Sequence, residues 1–216
     1  MVEAVKRVEI AAEIEALALS TIEKADSMKV VEQTDDQTVQ LEWIGENPVL
    51  VNSLSVDGIL VEDYRKWCAD YLTNIVKIAP PNSEYTGLPE DGGHKCVLQK
   101  IKAGVPLVSN RAMVVTYYPK DEGEDHVFMV SSRHNQHLLD ANKDTIGDDV
   151  VATLDVNYMR FSPKMDSCGD ICGTEIKQVV ITNPNGSLMD MLKTKLTKFQ
   201  SKAIVMMTEN IRQSKQ

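Results

Sequence analysis

Gln178-Val-Val-Ile-Thr-Asn-Pro-Asn-Gly-Ser-Leu-Met-Asp-Met-Leu-Lys-Thr-Lys-Leu-Thr-Lys-Phe-Gln200 is the stretch whose reading decides the fold. Its first part closes a β-branched run, Ile176 to Thr182, that suits a strand. Asn183-Pro184-Asn185-Gly186 is a turn signal, because proline presets φ and the Asn-Gly pair tolerates the left-handed region. Ser187 offers a side-chain oxygen to the free amides of a helix start, and Asp190 places an acid in the first turn. Leu188, Met191, Leu192, Leu196, Phe199, Ala203, Met206 and Met207 then keep the spacing of one buried helical face. The chain is expected to end as strand, tight turn and long amphipathic helix, and that helix must cover something.

The rest of the chain supplies the partner. Val2 to Ala25 has helical periodicity, with Val5, Val8, Ala12, Leu19 and Ile22 on one stripe beside Ile14 and Ala18. From Lys29 the period changes to two, predicting a hairpin over 29–33 and 38–44 and a third strand over 49–56. Val61 to Ile78 returns to helical spacing and stops at Pro80-Pro81. A polar loop is expected from Asn82 to Gly93, followed by strands over 95–102, 112–118, 127–133, 151–161 and 175–182. The order predicts one α+β domain over residues 1–216, with a mostly antiparallel sheet of about eight strands wrapped around the last helix. Aromatic residues are only 5% of the chain and methionines number ten, which suits either an adaptable pocket lining or methionines that simply fill gaps in the core.

Composition excludes several classes. A net charge of −9 argues against general nucleic-acid binding. No run of 18 apolar residues is present, and the N-terminus lacks a signal-peptide core. Four scattered cysteines do not make a disulfide framework, so a reduced, cytoplasmic protein is expected. From Ser187 onward, six basic side chains face two acidic ones. Lys195, Lys198 and Lys202 therefore present either a solvated helix face or a basic face for anionic lipid headgroups, which would place the protein peripherally at membranes.

Catalytic signals are weak. There is no nucleophile elbow, phosphate loop or dinucleotide fingerprint. Cys168 and Cys172, with Asp166 and Asp170 nearby, lack the second ligand pair of a structural zinc site, so neither metal nor cofactor is expected. His126, His134 and His137 suit either solvated loop positions or a pH-sensitive element. Arg111 has two readings: a structural contact at a strand entrance, or a reach toward a ligand headgroup.

Two segments carry a resemblance. Pro106-Leu-Val-Ser-Asn-Arg-Ala-Met-Val-Val-Thr-Tyr-Tyr118, taken with Gln178 to Leu188, resembles the START (steroidogenic acute regulatory-related lipid-transfer) domains. Those domains carry a Ser/Asn-Arg-Asp stretch entering a central strand and an Asp-Pro-x-Gly-Ser-Ile-Pro turn into the C-terminal helix. Ala112 and Met189 depart from the pattern, where the family usually has Asp and Pro, and Tyr117 sits where sterol-binding members can place an Arg. The resemblance implies a helix-grip (Bet v 1-like) fold with an internal hydrophobic tunnel for one lipid, phospholipid or sterol, carried between membranes by a monomer in transient contact with their surfaces.

It also implies a gate formed by the C-terminal helix and the 134–150 loop, with Leu138 and Leu139 at its tip. Met113, Val115 and Tyr117 are the inward candidates on one strand, with Met129 and Ser131 on the next. Leu188, Met191, Leu192 and Leu196 are the candidates on the helix, and Arg111 is the headgroup candidate. An enzyme on a helix-grip scaffold, with Tyr117 and a histidine as acid and base, and a ligand-sensing module are the competing classes.

Overall fold

The computed structural model describes residues 2–81, 83–102, 109–185 and 190–215, with side chains given from residue 6 onward except at 190–193, 195 and 196. Helix α1 (Val2–Glu23) leads into three strands, β1 (Lys29–Gln33), β2 (Gln37–Ile44) and β3 (Asn47–Asp57). Two short helices follow, α2 (Val61–Ala69) and α3 (Tyr71–Ile78). Then come β4 (Glu84–Asp91), β5 (His94–Ile101), β6 (Arg111–Glu122) and β7 (Asp125–Ser131). Helices α4 (Gln136–Ala141) and α5 (Lys143–Ile146) precede β8 (Val150–Val151), β9 (Thr153–Met165), β10 (Ile171–Asn183) and the final helix α6 (Asp190–Ser214).

The ten strands among the described residues form one curved sheet in the order β1-β2-β3-β10-β9-β7-β6-β5-β4, antiparallel along that path, with β8 added parallel to the start of β6. Its two faces bury different helices. Helices α2, α3 and α6 cover one face, where Leu50, Val115, Phe128, Phe161 and Val180 meet Ile204, Met207 and Ile211. Helix α1 covers the other, where Ile10, Ile14 and Ala18 meet Val51, Tyr118, Met129 and Val179. The sheet is thus apolar on both sides along its centre, which explains why several strands are continuous hydrophobic runs.

Four expectations need correction. The buried stripe of α1 is Ile10, Ile14 and Ala18, together with Arg7, whereas Val8 is 68% exposed. Residues 61–78 form two helices that break at Asp70, whose backbone (φ −105°, ψ 34°) leaves the helical region. Residues 84–91, expected to be loop, form the edge strand β4; Gly87 and Pro89 hide its period, and among the described residues only β5 pairs with it. The connection over 162–173 is mostly strand, since β9 and β10 run on to Met165 and Ile171.

Candidate functional site

The face between the sheet and α6 is where the lining residues are expected, and that lining is built by strand alternation. On β6, Met113, Val115 and Tyr117 point toward α6, as their spacing predicts. On β7 the phase is the opposite of the expected one. Phe128 and Val130 face α6, while Met129 packs with Tyr118 beneath α1. The reason is register, because Tyr118 pairs directly with Met129 and opposed residues share a face. Ser131 is buried and donates to the carbonyls of Leu154 and Asp155 at 3.2 and 2.7 Å, which is a structural role. Leu188 lies outside the described residues. Met191, Leu192, Leu196 and Lys195 lie on α6, but their side chains are outside those described.

The α2–α3 end of this face is filled. Tyr64 stacks on Phe161 with ring centroids 4.6 Å apart, and Tyr71 meets Tyr117 and Phe128 at 4.8 and 5.2 Å. Most of the chain's few aromatics gather here, so the scarcity of rings does not leave this end hollow. Helix α6 is fastened to it by Tyr64, which donates to Thr208 at 2.9 Å, and by Trp67, which donates to Asn210 at 2.9 Å.

Two adjoining cavities of about 270 and 440 Å³ open beside this aromatic cluster, and Tyr117 lines both. The larger also has Cys68, His126 and Phe128 in its wall. His126 Nδ1 is 2.8 Å from Asp121 Oδ1, and that contact holds the Asp121 carboxyl below its ordinary range. His126 Nε2 and the Tyr117 hydroxyl are buried without partners. Burial pushes the Tyr117 phenol and the Cys68 thiol far up. Both are therefore held in their protonated forms at neutral pH. Among the described residues, no group of three His, Cys, Asp or Glu side chains is placed to hold a metal ion.

Further along, where α6 crosses β3 and β10, the lining turns polar but uncharged. Asn52 Nδ2 and Gln37 Nε2 donate to the Ser201 carbonyl of α6 at 3.0 and 3.2 Å. Gln178 donates to Asn157 at 3.1 Å, and Gln200 donates to Thr182 at 3.1 Å. None of these amides was anticipated as a site residue. The available signal was a polar side chain in the buried phase of an apolar strand, as with Gln178 between Ile176 and Val180.

The implied gate residues are elsewhere. Leu138 and Leu139 pack with Leu98, Ala112, Val114 and Ile146. Ala112 and Val114 share the phase of Tyr118, so this cluster lies on the face away from α6. Residues 134–150 hold two short helices docked on the sheet rather than a loop tip set against α6. The exposed His134 and His137 pair with Glu13 and Asp91, on the same far side as α1.

Arg111 is held by three main-chain carbonyls. Its Nε donates to the Pro184 carbonyl at 2.8 Å and its Nη2 to the Asn185 carbonyl at 3.2 Å, while Nη1 donates to the Ser109 carbonyl. Main-chain carbonyls thus accept from three of the five guanidinium N–H groups. Lys198 and Lys202 are exposed on α6.

No protein-family model matches the chain, and no curated protein sequence matches it. Solved structures do. Human StAR-related lipid transfer protein 5 is 12% identical, with 97% of this chain and 100% of that chain covered at a TM-score of 0.66. Human STARD10 is 12% identical, with 90% and 78% covered at a TM-score of 0.64. A STAR-related lipid transfer protein from Xanthomonas axonopodis is 12% identical, with 87% and 97% covered at a TM-score of 0.55. The chain therefore has the helix-grip fold of the START lipid-transfer domains.

Proposed function

We propose that this protein binds one lipid between α6 and the sheet and carries it between membranes without catalysing a reaction. The observation that carries this reading is the lining of that face: apolar and amide side chains under a long amphipathic helix whose exposed side bears Lys198 and Lys202. The structural neighbours named for lipid transfer support it. Burying roughly 400 Å² of lipid at ~25 cal/mol per Å² supplies on the order of 10 kcal/mol before association costs, enough to draw a lipid from a bilayer.

Loading requires the start of α6 to move. The turn that enters α6 is tethered to the first residue of β6 by Arg111 and to Val151 by Asn185 Nδ2. The 134–150 segment would then act through its end, because Val150 and Val151 pair with Arg111 and Ala112. Leu138 and Leu139 would steady that segment from the far face. No described helix is long and apolar enough to cross a membrane, so contact with the bilayer would be peripheral.

The test is native mass spectrometry of protein purified from cells, with extraction of any bound lipid, followed by transfer of that lipid between donor and acceptor vesicles. A stoichiometric lipid and protein-dependent transfer are expected. Absence of both would sink the proposal.

A second reading rests on one observation, a cavity whose wall holds both His126, oriented by Asp121, and Tyr117. A proton donor and an acceptor there are what a helix-grip enzyme would need. Loss of a reaction in both His126→Gln and Tyr117→Phe, with lipid transfer intact, would favour it.

A further inference from the structure

Among the described residues, Gln178 and Gln200, only 3% and 8% exposed, each leave a buried carboxamide oxygen without a hydrogen-bond partner. A buried polar atom left unpaired costs stability, so two in one region need an explanation. They do lie in one region. Gln178 pairs across the ladder with Asn52, and Asn52 Nδ2 holds the Ser201 carbonyl, the residue after Gln200. Gln200 in turn reaches Thr182, four residues along β10 from Gln178 and on the same face. Two acceptors thus flank the 200–201 step of α6, in the middle of the grip.

The chemistry around them is neutral. Gln37, Asn52, Asn157 and Thr182 supply amides and a hydroxyl. Among the described residues, the only buried Lys, Arg, Asp or Glu is Arg7, which lies on the α1 face bound to Tyr118, Asn135 and Asp91. Arg111, at the rim, is occupied by carbonyls. Among the described residues, a phosphate brought to this point would find no buried cation beside it to compensate its desolvation. A hydroxyl would find acceptors in want of a donor.

We infer that the lipid held in this grip is an uncharged one with a free hydroxyl, which donates to Gln178 Oε1 or Gln200 Oε1, and not a phospholipid. Sterols and diacylglycerols share that chemistry. The inference rests on the lipid-carrier reading and narrows its ligand. Specificity follows from the same asymmetry, since a site with buried acceptors rejects an analogue that cannot donate.

The experiment measures partition from vesicles onto the protein for radiolabelled cholesterol, dioleoylglycerol, the methyl ether of each, and dioleoylphosphatidylcholine. At least one free-hydroxyl lipid is expected to be held about tenfold better than its own methyl ether and than phosphatidylcholine. In Gln178→Met and Gln200→Met, tested singly and together, the hydroxyl-to-ether ratio falls toward one, while thermal unfolding confirms the fold. The wild-type ratio stands as a test even where a variant does not fold. Phosphatidylcholine held as well as the free-hydroxyl lipids, or hydroxyl preference intact in all folded variants, would overturn the inference and leave a lipid carrier. If no lipid is held, the carrier reading fails and the inference with it.

Discussion

Arg111 Nε donates to the main-chain carbonyl of Pro184 at 2.8 Å, across 73 positions of sequence, and so ties the first residue of β6 to the turn that enters α6. Asn185, at φ +47°, completes the turn by donating its own N–H to Asn183 Oδ1 at 2.9 Å. The two stretches that resemble START motifs in sequence are therefore one structural joint.

Replacing Arg111 with Met removes three hydrogen bonds from a charged donor. Stability should fall by about 1–3 kcal/mol in urea unfolding. Transfer between vesicles should become faster, because the start of α6 loses a tether. Arg111→Lys should recover only part of either effect, since an ammonium cannot reproduce the planar fork. Transfer at the wild-type rate in a folded Arg111→Met protein would free this joint from any part in loading.

Gly173 is required by close approach rather than by φ. A Cβ there would lie 1.9 Å from the Val56 carbonyl oxygen and 3.1 Å from Asp57 Cα, both main-chain atoms of β3. Gly173→Ala must push β10 from β3 at the pairing Gly173–Asp57. A loss of about 3 kcal/mol or more is expected. A midpoint within error of wild type would contradict it.

Tyr64 makes stability depend on alkaline pH. Burial raises its phenol from 10.0 to about 12. A raised acid stabilises the folded state fully below the unfolded value and loses that contribution as pH climbs through the folded one. The fall should therefore occupy pH 10 to 12. Tyr64→Phe forfeits the bond to Thr208 and should lose about 1 kcal/mol at pH 7. Its deficit should shrink across the alkaline window, which urea titrations at stepped pH would follow.

Lys195, Lys198 and Lys202 lie on α6, and the latter two are exposed. Changing all three to Glu should weaken sedimentation with phosphatidylserine vesicles at least tenfold at low salt, with the circular dichroism spectrum unchanged. Each cation near an anionic surface contributes about 1 kcal/mol. Undiminished vesicle binding would return this face to a solvated one.

Much of the architecture was legible where the pattern was strong. Alternation over Thr38 to Ile44 predicted β2, and the spacing from Met191 to Met207 predicted α6. Phase was harder. Every residue from Val127 to Val130 is apolar, so alternation carries no information there. Only the pairing of Tyr118 with Met129 assigns Phe128 and Val130 to the α6 face. Helix α1 misled for a related reason: Arg7, a charged residue, occupies its buried stripe because Asp91, Tyr118 and Asn135 surround it.

By itself the sequence determined the order of most elements, the turn into the last helix and the apolar stripe that helix must bury, because these follow from local periodicity and backbone preference. Tertiary structure alone decided which amides and aromatics share a surface. It sent Leu138 and Leu139 to the far side of the sheet, drew Arg111 to the carbonyls of Pro184 and Asn185, and left Gln178 and Gln200 each with an unmet oxygen. Those outcomes depend on register between strands distant in the chain, and a one-residue shift in register moves every side chain to the other face.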